Sequence, residues 1–260
     1  MSTGASMSTG LEKHFEHVGC QSLVYKCLFD SLRAHVYKRG QVPCQMSFSN
    51  PDSFLKNLDD LNQAREFVEQ IGLKAFVHSN VCFNPSNPMP RDLKAVKVDL
   101  DVGLRCGFGG VVIHVGKHCN KDTPETALSK MKETILEIVE YGSAECPVLL
   151  ETPAGQGTEL CTTFEEFSKV YDELKCNQLK VCIDTQHVFG SGYEPLNYIQ
   201  SWVEKHGLES LRLVHFNDSS VIKGSHLDRH ARPGSGHIGT QKMIDIAEWC
   251  SENGIPAVVE

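Results

Sequence analysis

Residues 213–239 hold His215, Asp228 and His230, three side chains able to bind a metal ion, next to the glycine-rich run GSGHIG (234–239). His215 closes an apolar run that reads as a strand. Asp228 and His230 are two residues apart, and in extended or looped chain such a pair projects to the same side, where one cation can be gripped by both. Carboxylate and neutral imidazole together suit a borderline cation such as zinc. An Asp-x-His triplet alone is a weak signal, so the question is whether other elements supply matching donors.

They do. Short apolar runs recur, each ending in a residue of ligand type: KAFVH (74–78), VVIH (111–114), PVLLE (147–151), KVCID (180–184), RLVH (212–215) and PAVVE (256–260). One terminal His or Glu is most often a satisfied polar residue at a strand edge. A ligand type at all six ends is not expected from chance placement. The candidate donors are therefore His78, His114, Glu151, Asp184, His215 and Glu260, with Asp228 and His230 from the long loop.

Segments with helical spacing separate these runs. They lie at 53–71 (Phe54, Leu58, Leu61, Ala64, Phe67 and Val68 on one face), 122–141, 163–174, 197–206 and 241–253. Strands of four to six residues alternating with amphipathic helices predict βα units and a parallel sheet. Two earlier runs, 16–20 and 44–48, bring the strand count to about eight. The predicted fold is thus α/β, a single (β/α)8 TIM barrel, whose reactive groups sit at the C-terminal ends of the strands. An open doubly wound sheet is disfavoured because no glycine-rich phosphate loop follows the first strand.

The 260 residues suit one barrel domain, expected over 16–260, with 1–15 as a disordered polar tail that repeats MSTG at 1–4 and 7–10. No signal-peptide core and no run of membrane-spanning length is apparent, so no membrane association is expected. The 11 cysteines form no CxxC pair, which favours a reducing compartment, cytoplasmic or nuclear. The net charge of −8 argues at first against nucleic acid, but three bound divalent cations would bring it to about −2. Any DNA affinity should then come from a local patch around the metals.

The motifs HVGKH (114–118), ETPAGQG (151–157), CIDTQH (182–187) with Gly192-Tyr193, HFND (215–218), GSHLDRH (224–230) and GSGHIG (234–239) resemble the endonuclease IV family of apurinic/apyrimidinic endonucleases (AP endonuclease family 2). The resemblance runs from about residue 16 to 260. It implies three zinc ions per chain, with manganese possible at one site. His78, His114 and Glu151 would hold the first; Glu151, Asp184, His215 and Glu260 the second; His187, Asp228 and His230 the third. It also implies double-stranded DNA containing abasic sites as substrate. The reaction would be in-line hydrolysis of the phosphodiester 5′ to the lesion, leaving 3′-hydroxyl and 5′-deoxyribose phosphate ends. Glu151, bridging two zincs roughly 3.5–4 Å apart, would carry the catalytic role. Asp184 and His187, at i and i+3, fit a strand end that turns into a loop.

Some positions depart from the family pattern. Asp52 stands where an Arg enters the DNA in relatives, and Val81 and Cys82 replace a Tyr-Leu pair, while Asn50 and Asn84 match. Asn50, Val81, Lys117 and Arg229 are the candidate DNA contacts, and His118 and His226 are assigned either supporting roles beside the ligands or contacts to phosphate. The family continues into a final helix, so the last barrel helix is expected to be missing here. A strand that ends at a ligand should then hold Glu260 loosely. A monomer is expected, or a dimer if the missing helix leaves an apolar gap. Two other readings fit the strand-end donors: a metal-dependent sugar isomerase or epimerase of the same barrel class, and a DNA-binding relative with reduced turnover.

Overall fold

The computed structural model describes residues 11–260 apart from Leu23, Tyr25, Ser49 and Asn50, so the candidate contact Asn50 lies outside the described residues. Eight parallel strands close a barrel: β1 (Gly19–Gln21), β2 (Cys44–Met46), β3 (Ala75–His78), β4 (Val111–Ile113), β5 (Val148–Glu151), β6 (Leu179–Asp184), β7 (Leu211–His215) and β10 (Ala257–Val259). Strand β10 completes the circle against β1 through Gly19↔Val258 and Cys20↔Val259. Two short strands, β8 (Asp218–Ser219) and β9 (His230–Ala231), form a separate antiparallel pair above β7.

The helices are α1 (Leu11–His14), α2 (Leu28–Arg39), α3 (Leu58–Ile71), α4 (Pro90–Arg105), α5 (Pro124–Val139), α6 (Phe164–Leu174), α7 (Thr185–Gly190), α8 (Pro195–His206) and α9 (Thr240–Glu252). Local chemistry explains their starts. Thr163 caps α6 in a reciprocal box with Glu166, and Pro124 and Pro195 occupy first-turn positions where a missing N–H costs nothing. The single helix that spacing suggests over 53–71 is broken: Pro51–Lys56 is a 3-10 turn, and Asn57 then accepts the amide of Asp60 to start α3. Helix α2 escapes the periodicity because the polar Ser31 and His35 take buried positions on it, whereas α4 carries an ordinary apolar face, with Val96, Leu100 and Val102 buried, that the expected helix set omits.

Strand alternation builds the barrel interior in layers. Phe76, Val112, Leu149, Cys182, Leu213 and Val258 form their own buried apolar cluster. Each lies two residues before one of His78, His114, Glu151, Asp184, His215 and Glu260, so it faces the same interior one layer lower. This layer is the floor of the site. Gly109 makes room for it, since a Cβ there would come within 2.6 Å of the Phe76 ring.

The expected tail boundary at residue 16 falls inside ordered structure. Leu11–His14 is helical, the Phe15 ring packs 5.3 Å from Phe216, and His17 Nε2 lies 2.7 Å from the carbonyl of Ala247. Beside β1 and β10 lies a groove of about 450 Å³ whose walls include Phe15, Val18, Val42 and Val259. Among the described residues no helix is long and apolar enough to cross a membrane, and all eleven cysteines are free.

Candidate metal centre

The strand ends converge on Glu151. This side chain is 1% exposed, and its two oxygens serve different partners. Oε2 lies 3.0 Å from His114 Nε2 and 3.4 Å from His78 Nε2. Oε1 lies 2.8 Å from His215 Nδ1. Around that same Nδ1 stand Glu260 Oε2 at 3.1 Å and Asp184 Oδ2 at 3.7 Å. The carboxylate therefore faces two clusters of donors, His78 with His114 on one side and Asp184, His215 and Glu260 on the other.

A third cluster adjoins the second. Asp228 Oδ1 lies 3.4 Å from His187 Nε2 and 3.3 Å from His230 Nε2, and His230 Nε2 is 3.6 Å from Asp184 Oδ2. The β8–β9 ladder positions this group by pairing Ser219 with His230, which leaves Asp228 and His230 on one side as their spacing suggests. Asp218 anchors the neighbouring glycine-rich loop by accepting the amides of Gly236 and Ile238 at 2.8 and 2.9 Å. A Cβ on Gly236 would lie 2.3 Å from the carbonyl of Ser219, so the loop needs glycine there. His187 is not on a loop: Asp184 Oδ1 caps α7 through the His187 amide at 2.8 Å, while Oδ2 faces the site.

Three buried atoms in these clusters have no hydrogen-bond partner: Glu151 Oε2, His187 Nε2 and His230 Nε2. Orphaned buried polar atoms are costly, and here they are aimed at common centres. Among the described residues, groups of three or four donors within 4.8 Å of one another comprise His78, Glu151 and His215; Asp184, His187 and His230; and Glu151, Asp184, His215 and Glu260. The donor set fits bound divalent cations. Without them the charges balance internally. Burial opposes ionisation of Glu151, but the facing His215 and His114 rings outweigh it and hold the carboxyl well below the usual carboxylate range. Burial likewise opposes ionisation of Glu260, and His215 draws its pKa down to about 2. For His187 burial works against the charged form, yet Asp184 and Asp228 hold it well above an ordinary histidine. Metal binding to these ligands must displace such protons.

The supporting shell is built from residues whose spacing alone does not point to the site. His187 Nδ1 donates to the carbonyl of Thr152 at 2.8 Å, which leaves Nε2 as the atom available to a cation. Gln45, fully buried on β2, accepts His215 Nε2 at 2.8 Å and donates to Glu260 Oε1 at 2.8 Å. Asn217 donates to Asp184 Oδ2 at 2.7 Å and accepts the Glu260 amide at 3.0 Å. Glu260 is therefore tethered at its amide and its carboxylate, contrary to the loose hold expected from its place at a strand end. The one available signal for Gln45 is its register: it faces the interior of β2 as the ligands face that of their own strands.

The candidate DNA contacts differ in freedom. Val81 is 65% exposed at the rim of the site. Asp52 is paired with Lys94 at 2.8 Å, so it is not an unpaired charge in the path of DNA. Arg229 is exposed, with Nη1 on Gln156 Oε1 at 3.1 Å, and Lys117 is paired with Glu159. Asn84 is a loop clamp, accepting the Lys117 amide and donating to the Lys117 carbonyl. His118 Nδ1 accepts the amide of Asn120, and His226 packs over Gly155; neither touches a ligand side chain through a described hydrogen bond.

A sequence profile of the xylose isomerase-like TIM barrel family matches residues 44–249. The probable endonuclease 4 of Symbiobacterium thermophilum is 30% identical over 255 residues, covering 94% of this chain and 92% of that protein. The chain belongs to the endonuclease IV family. A second relative, the probable endonuclease 4 of Streptomyces coelicolor, is 30% identical over 83% of this chain and 79% of its own length. Among solved structures, endonuclease IV from Thermus thermophilus superposes with a TM-score of 0.74 at 22% identity, covering 93% of this chain and 90% of that one. A D-tagatose 3-epimerase-like protein shares the barrel with a TM-score of 0.66 at 18% identity, over 94% and 89% of the two chains. At these identities the structural likeness speaks for the fold, and membership in the endonuclease IV family rests on the sequence relatives.

Proposed function

We propose that this protein is a zinc-dependent endonuclease that hydrolyses the phosphodiester 5′ to abasic sites in double-stranded DNA, a step of base excision repair. The carrying observation is the third donor cluster, His187, Asp228 and His230, beside the bridging Glu151. A barrel isomerase or epimerase needs one or two divalent ions and has no evident use for it. Zinc suits the mixed His and carboxylate donors, with manganese possible at one position. Bound divalent ions would supply Lewis acidity toward a phosphate and acidify a water. The chain's own part is placement and proton control. Glu151 offers one oxygen to each of two donor groups, Thr152 fixes the His187 tautomer, and Gln45 fixes that of His215. A hollow of about 120 Å³ lined by Val81, His114, Lys117, Glu151, His187 and Asp228 is where a backbone phosphate would be received.

The test is a duplex carrying one tetrahydrofuran abasic analogue. This analogue blocks lyase chemistry, so a nick 5′ to it that leaves a 3′-hydroxyl reports hydrolysis. The expected result is metal-dependent nicking by protein holding close to three zinc per chain. Binding without nicking by the fully metallated protein would favour the DNA-binding reading, and neither binding nor nicking would remove both.

A further inference from the structure

The hollow above the metal donors carries one charge pair that the ligand scheme leaves unused. Lys117 follows β4 and Glu159 follows β5, and an isolated antiparallel bridge joins the two residues. Around it, the amide of His118 donates to the carbonyl of Thr158 at 3.1 Å and that of Leu160 to Gly116 at 2.9 Å. Lys117 Nζ lies 3.1 Å from Glu159 Oε1, and the glutamate side chain is only 9% exposed. Its second oxygen accepts the Gln156 amide at 2.9 Å. Both carboxylate oxygens are therefore committed, and the carboxylate is a fixed post. The Lys117 backbone is held as firmly, with N–H and carbonyl both on the Asn84 side chain at 2.9 and 2.8 Å.

Both residues line the same hollow as His114, Glu151, His187 and Asp228. This distinguishes the pair from exposed ones such as Lys130 with Asp122, which line no cavity near the donors. An ammonium has three N–H donors. Glu159 takes one and leaves two for an anion entering the hollow. An unanchored lysine must give up much of its rotamer freedom to bind an anion, whereas one already held by a buried carboxylate gives up less.

We propose that Lys117 binds a non-bridging oxygen of a substrate-strand phosphate beside the metal donors, and that Glu159 is the positioning residue that holds Lys117 for this contact. The inference rests on the nuclease reading above and adds Glu159 to it. The test uses metallated wild type with Lys117→Ala, Glu159→Gln and the double variant. Three readouts are compared: single-turnover nicking of the abasic-analogue duplex, the salt dependence of binding to undamaged duplex, and metal content. Lys117→Ala should slow nicking about tenfold and make the slope of log K against log salt shallower by about 0.9, one phosphate contact. Glu159→Gln should slow nicking by a similar factor with undamaged-duplex affinity equal or tighter, because a negative charge has left the DNA face. The double variant should be no slower than Lys117→Ala, since Glu159 acts through Lys117. Metal content should be unchanged throughout. An unaltered salt slope in Lys117→Ala overturns the proposal. So does a further loss on adding Glu159→Gln to Lys117→Ala, which would mean that Glu159 acts through Gln156 or the fold. A wild type that does not nick the duplex instead refutes the nuclease reading, and this inference falls with it.

Discussion

Replacing Gln45 with leucine should weaken one metal position without touching a ligand. In the structure Gln45 Oε1 accepts His215 Nε2 at 2.8 Å, while Nε2 donates to Glu260 Oε1 at 2.8 Å and Gln21 Oε1 at 3.1 Å. Leucine has nearly the same volume and removes all three bonds. His215 is fully buried, so its Nε2–H would be left without a partner, at about 1–3 kcal/mol. The ring can escape that cost only by moving its proton to Nδ1, the atom that faces Glu151, Asp184 and Glu260 and must be bare to bind metal. Outer partners of metal ligands are worth about 10–100-fold in affinity, roughly 1.4–2.7 kcal/mol, which agrees with the cost of the stranded donor. Chelator competition on the zinc-loaded protein measures this directly, with circular dichroism to check the fold. One equivalent of metal should become about 10–100-fold easier to extract, by the same estimate, while the His187, Asp228 and His230 cluster keeps its affinity. A folded Gln45→Leu protein with a wild-type competition curve would show that Gln45 does not orient His215, and the tautomer argument would fail.

Three further outcomes are expected. Glu151→Gln should keep the fold but lose nicking by about a thousandfold or more, because a neutral amide cannot bridge two cations; near-normal turnover would place the activated water elsewhere. His230→Ala should release close to one equivalent of zinc and leave the Glu151-bridged pair bound, as read by metal analysis after gel filtration; loss of all the metal would mean that the three clusters are not separable. Phe76→Ala, which removes a fully buried ring from the floor of the site, should cost about 3–5 kcal/mol, a fall in Tm of roughly 5–10 °C in thermal melts. A shift of only a degree or two would mean that the interior layer tolerates a void and contributes little to the barrel.

The barrel and its ring of candidate donors are legible in the chain because both follow from strand periodicity. A side chain two residues before a strand end shares its face, so KAFVH, VVIH, PVLLE, KVCID, RLVH and PAVVE each encode one floor residue and one donor. Parallel strands in sequential order then bring the donors to one rim without further instruction. Residues whose role depends on partners from other elements are not legible in this way. Helix α2 buries Ser31 and His35, which weakens its amphipathic pattern. Gln45 and Asn217 look like ordinary polar residues until closure of the barrel sets them against His215, Asp184 and Glu260, far away in sequence. The firm hold on Glu260 is decided in the same way, by side chains from β2 and the loop after β7, and not by anything adjacent in the chain. Local sequence dictates which face a side chain takes. Which partner meets it there depends on long-range closure, and so the hydrogen bonds that tune the donors and the pairing of Lys117 with Glu159 appear only in the folded molecule.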